Sequence, residues 1–91
     1  MLLKERGTVM LYRYSFFEEE LFSQYIGNYI SYGIKVTAEN DYGEQITIDS
    51  VSDVSVEMEV AEKITELCNQ LQLDPIQLFD VVEDMVTNDV S

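Results

Sequence analysis

The chain has 91 residues, 46% of them apolar, with six tyrosines, four phenylalanines, one cysteine, no histidine and a net charge of −13. That length holds one domain with a single modest core, and the apolar share is too high for a disordered acidic tail. A lone cysteine excludes an intrachain disulfide and a Cys-rich zinc site, and the charge disfavours nucleic acid and anionic membrane while favouring basic protein surfaces.

The charge is unevenly placed: residues 37–91 hold fourteen Asp and Glu against Lys63 alone. In residues 1–36, Lys4, Arg6, Arg13 and Lys35 balance Glu5, Glu18, Glu19 and Glu20, and five of the six tyrosines lie there. The opening Met1-Leu2-Leu3-Lys4-Glu5-Arg6 carries charge where a secretory signal needs an apolar run, and no later stretch is long enough to span a membrane, so the sequence reads as cytoplasmic. Residues 1–9 are expected to be a flexible leader, residues 10–88 a single domain and residues 89–91 a tail.

In chain order, Val9–Phe17 reads as a first strand, with Tyr12, Tyr14 and Phe16 on one face and Leu11, Arg13 and Ser15 on the other. Glu18-Glu19-Glu20 breaks the pattern and leads into an irregular stretch. Asn28–Ala38 alternates cleanly, with Ile30, Tyr32, Ile34, Val36 and Ala38 opposite Tyr29, Ser31, Gly33, Lys35 and Thr37, which predicts a half-buried strand. Asn40-Asp41-Tyr42-Gly43 predicts a hairpin into Gln45–Asp49, with Ile46 and Ile48 facing the core. The period then changes: Val56, Val60, Ile64, Leu67 and Leu71 form one stripe of an amphipathic helix, with Ser55 as its N-cap and Glu57 and Glu59 in the first turn, where the helix dipole favours anions.

Asp74-Pro75-Ile76-Gln77 starts a second helix, because Asp caps, Pro fits the first helical position and Gln77 is placed to reach back as in a capping box. Its apolar stripe is Phe79, Val82 and Val86, with Leu78 and Met85 alongside. The predicted architecture is α+β: a small antiparallel three-stranded sheet followed by an αα-hairpin packed on one face.

A helix pair with a tight turn invites comparison with DNA-binding helix-turn-helix units, but residues 64–91 contain no Lys or Arg, and Asp80, Glu83 and Asp84 would repel a duplex. Those three carboxylates sit at i, i+3 and i+4. Without a calcium-loop pattern or histidine they read as a solvated helix face rather than a metal site. Cys68 sits beside the apolar stripe with no basic neighbour, as a structural cysteine does. Gly27, Gly33 and Gly43 form no phosphate-binding pattern. No catalytic residue, cofactor or metal is assigned, and the sequence reads as non-enzymatic.

Two surfaces remain. Tyr29, on the strand face opposite Ile30 and Ile34, is a candidate contact, and Tyr12 and Tyr14 would join it as a platform in one register of the first strand. Glu57, Glu59, Glu62 and Glu66 with Asp80, Glu83 and Asp84 would make one acidic surface if both polar faces turn the same way. That acid reads either as a solubility feature or as an imitation of a phosphate backbone.

The segment Glu66 to Met85, together with Tyr12-Arg13-Tyr14 and Tyr32-Gly33-Ile34, resembles a domain-of-unknown-function family of short bacterial proteins over most of residues 10–87. The resemblance implies a small bacterial protein of cellular or mobile-element origin and brings no catalytic residue. The leading expectation is an acidic protein-interaction module whose contacts are Glu59, Glu62, Glu66, Asp80, Glu83, Asp84 and Tyr29. Its partner would be a protein with a basic surface, such as a nucleic-acid-processing enzyme that it inhibits. No direct contact with nucleic acid or membrane is expected. The alternative is a homo-oligomer, a homodimer for instance, that covers an exposed sheet edge or the tyrosine face.

Overall fold

The computed structural model describes residues 11–90, with side chains through Thr87. Three strands, β1 (Tyr12–Ser23), β2 (Gly27–Glu39) and β3 (Gln45–Ser55), precede α1 (Met58–Leu71), a 3₁₀ turn at Pro75–Gln77 and α2 (Leu78–Val90). The strands form an antiparallel sheet in the order β1-β2-β3. Both helices pack on it, α1 chiefly over β1 and β2, and α2 over β3. This is the α+β architecture that the alternation and the change of period predict. The expected leader over residues 1–9, the start of the first strand at Val9 and Met10, and Ser91 of the expected tail lie outside the described residues, while α2 itself continues to Val90.

The pairing Tyr12↔Ala38, Tyr14↔Val36 and Phe16↔Ile34 sets the side chains of both strands on the helix face. Tyr14, Ile34 and Val36 pack there with Val54, Ile64, Cys68, Leu73, Leu78 and Val82. Phe16 and Tyr32 meet edge to face with ring centroids 6.4 Å apart.

β1 does not stop at Phe17. It runs through Glu18-Glu19-Glu20 to Ser23, and the stretch expected to be irregular is the far half of a β1–β2 hairpin that turns at Gln24–Ile26 into Gly27, whose φ is +81°. Glu18 lies in the last three-stranded row and Glu20 in the two-stranded ribbon beyond it, both exposed, where water reaches the helix-side face and a carboxylate costs little. β3 is likewise longer than Gln45–Asp49. It carries an irregularity between Val36 and Thr37 of β2 and a second between Tyr32 and Ile34.

Several boundary and packing expectations are corrected. Ser55 ends β3, and its Oγ accepts the Glu57 N–H at 3.0 Å, so it shapes the strand-to-helix junction; the helix N-cap is Glu57, which makes no side-chain cap bond. Val56 and Leu71, expected on the buried stripe, are exposed because the helix begins at Met58 and its final turn overhangs the sheet. Phe79 is 57% exposed, and Ile46 and Ile48 are each 45% exposed, since the helices leave the outer margin of β3 uncovered. Asp74 caps as expected, its Oδ1 accepting from Ile76 N at 3.1 Å, but it opens a 3₁₀ turn in which the Gln77 N–H, not its side chain, bonds to Asp74 O.

Tyr14 is the pin between sheet and helices. Its hydroxyl donates to the buried Leu73 carbonyl, and its backbone N–H and C=O bond to Asn69 Oδ1 and Nδ2 at 2.8 and 2.9 Å. Burial pushes its phenol pKa from 10.0 to about 12, with the nearby Cys68 and Asp74 adding to the shift. The neutral phenol is thus favoured in the fold. Its contribution is complete below pH 10 and is lost as pH climbs through 12. Tyr14→Phe is expected to lower stability by about 1–3 kcal/mol at neutral pH, because the Leu73 carbonyl loses its partner. Urea midpoints measured across that window should fall less steeply in the variant than in the wild type.

Candidate protein-interaction surface

α1 meets the sheet through Ala61, Ile64, Thr65 and Cys68. Its Val60, Lys63 and Ile64 share a small groove with Met85 of α2. At 3.6 residues per turn, Glu62 and Glu66 therefore lie on the flank of α1 that faces away from α2, and Glu59 lies toward the top of the layer. All three are exposed. On α2, Leu78 and Val82 point down, and Glu83 lines a groove with Ser52, Asp53 and Phe79 at the β3 side. Asp80 and Asp84 are left on the outer surface.

The helical layer thus carries acid on its top and on both flanks. It does not gather Glu62, Glu66 and Glu83 into one patch, and Lys63 stands at the cleft between the helices. Among the described residues, no three His, Cys, Asp or Glu side chains converge as a metal site.

Tyr29 is on the outer sheet face as expected, paired with Leu21. Its hydroxyl donates to Asp53 Oδ2 at 2.8 Å, and that bond is the leading cause of its raised pKa. Ser31 Oγ donates to Asp53 Oδ1 at 2.6 Å, while a Glu19 carboxylate oxygen accepts from Ser52 Oγ and Asp53 N, each at 2.7 Å. The network holds Asp53 at a φ of 55° and fixes the irregular part of β3. The tyrosine platform does not form. Tyr12 and Tyr14 occupy the opposite, helix-side face because they pair with Ala38 and Val36.

Cys68 is buried in the core, where desolvation pushes its thiol pKa up and leaves it unreactive.

Two exposed apolar features escape a reading of the sequence. One is the hairpin tip, where Phe22, Tyr25 and Ile26 are all well exposed; the positive-φ Gly27 is the signal for that turn. The other is the margin of β3, where Tyr12, Ile48, Asp49, Asp74, Pro75 and Ile76 line an open groove of about 320 Å³. No helix among the described residues is long and apolar enough to cross a membrane.

Fold and surface together define a small acidic α+β protein whose helical layer presents unburied carboxylates. The chain belongs to DUF6514, a family of unknown function, whose profile matches residues 1–88. The family resemblance expected from residues 10–87 is borne out. Comparison with curated proteins and with solved structures gave no match.

Proposed function

We propose that the protein is a non-enzymatic interaction module that docks its acidic helical layer on a basic surface of a partner protein. The nucleic-acid groove of a nucleic-acid-processing enzyme has the required charge and would be blocked by it. The observation that carries this reading is the exposure of Glu59, Glu62, Glu66, Asp80, Glu83 and Asp84 on one layer whose single base is Lys63. Opposite fields of this kind speed encounter and suppress wrong partners more than they add affinity.

The test is capture of partners on the immobilised chain with elution in salt steps, repeated with the E62K/E66K/D80K/D84K variant after circular dichroism has shown it folded. Loss of the salt-sensitive partner from the variant, by about tenfold or more, is the expected result. A partner held equally well by both proteins, or indifferent to salt, overturns the reading.

The exposed hairpin tip favours a second reading, a homo-oligomer that buries Phe22, Tyr25 and Ile26. A monomeric mass by sedimentation at micromolar concentration counts against it.

A further inference from the structure

The two edges of the sheet are treated differently. At the β1 edge, Asn69 occupies both the N–H and the C=O of Tyr14, and Gln72 Nε2 donates to Tyr12 O at 3.3 Å. A side-chain amide there takes the place of a neighbouring strand. It also fixes the phase of the sheet: Tyr14 turns its backbone outward, so its partner Val36 turns toward β3. Ile46, opposite Ala38, then points its backbone inward, and Gln45 and Thr47 point theirs out of the sheet. No helix residue among those described bonds to that edge.

Beside this edge lies the groove of Tyr12, Ile48, Pro75 and Ile76, with Asp49 and Asp74 at its rim. Each carboxylate gives one oxygen to a local backbone N–H, Asp49 to Ser50 at 2.8 Å and Asp74 to Ile76 at 3.1 Å. The second oxygen of each is left for an incoming cation. Ile76 is 85% exposed. An aliphatic stem ending in a positive head fits such a place, the stem on Ile48 and Ile76 and the head between the carboxylates.

We propose that the edge of β3 accepts an extended strand of a partner protein in which apolar residues alternate with lysine or arginine. Backbone bonds to Gln45 and Thr47 would supply the register, and the groove the side-chain preference. The proposal rests on the acidic-docking reading for the sign of the partner's charge. A second copy of this chain is the wrong occupant, because residues 41–53 carry Asp41, Glu44, Asp49 and Asp53 and no base, and pairing two such strands would set like charges against each other.

The experiment titrates the isotopically labelled full chain with two blocked peptides of equal charge, one alternating valine with lysine and the other lysine alone. Expected are shifts at Gln45–Ser50 and Asp74–Ile76 and slowed amide exchange at Gln45 and Thr47, with the alternating peptide bound at least about tenfold more tightly. Thr47→Pro removes an outward N–H that the sheet does not use, and should weaken that peptide by about tenfold while the fold persists. Ile48→Lys should do the same and serves as the second variant if the proline perturbs folding.

Equal binding of both peptides, lost with E62K/E66K/D80K/D84K but not with Thr47→Pro, overturns the edge and leaves the acidic reading standing. Salt-indifferent binding at the edge does the reverse. Binding of neither peptide overturns both. Protection of Gln45 and Thr47 that grows with the protein's own concentration overturns the choice of occupant.

Discussion

Gly33→Ala is expected to destabilise the fold by about 3 kcal/mol, a large fraction of what a domain of this size has to lose. A Cβ at this position would lie 2.5 Å from Phe17 Cζ and 2.6 Å from the Val51 carbonyl oxygen. Phe17 and Gly33 are directly paired across β1 and β2, and the phenyl ring lies over the glycine on the outer face of the sheet. The ring can yield, but the backbone oxygen of β3 can yield only if the strand moves. A double-mutant cycle separates the two: Phe17→Ala should recover part of the loss and never all of it. Urea unfolding of the four proteins measures this. Full recovery in the double variant would show that the Val51 carbonyl imposes no constraint.

Asn69→Ala should cost about 2–4 kcal/mol, since the backbone N–H and C=O of Tyr14 lose their partners together in a partly buried place. Asn69→Asp separates donor from acceptor. It keeps an acceptor for the N–H but sets a carboxylate against a carbonyl, so it should be nearly as damaging. Amide exchange at Tyr14 reports the effect directly, and rapid exchange in both variants with only a small drop in global stability would show the clasp to be local. Both variants also uncover a strand edge, so a new tendency to associate is expected of them.

The parts of this fold that can be read from sequence are those where one face is dry and the other wet. β2 alternates because it is central and its Ile34, Val36 and Ala38 lie beneath the helices. Asp74-Pro75 is legible because a cap and a preset φ act within four residues. The far half of the β1–β2 hairpin is not, because a ribbon wetted on its helix-side face needs no alternation and tolerates Glu18-Glu19-Glu20. Ile46 and Ile48 look like core residues by period, yet whether they are covered depends on where α2 ends up, which no local pattern encodes.

The candidate contacts show the same division. That Glu59, Glu62, Glu66, Asp80, Glu83 and Asp84 face water is a matter of helical spacing. How the two helices are rotated, and therefore that their acids spread over top and flanks, is decided only by packing. Tyr29 lies on the face that its alternation predicts, but its bond to Asp53 depends on irregularities in β3 that the sequence does not announce. Asn69 looks like an ordinary polar residue near a helix end, and nothing local points to its partner in β1.

That partner is far away along the chain. Tyr14 waits for Asn69, 55 residues later, and its hydroxyl for Leu73, 59 residues later. On a ribosome adding 5–20 residues per second, that gap lasts on the order of 3–12 s. All three strands emerge before the last turn of α1 does, so the nascent sheet has two open edges and becomes one-sided only when Asn69 follows. Closure of β1 thus trails the sheet itself, and a chain cut short before Asn69 would carry a sheet able to template strands on either side.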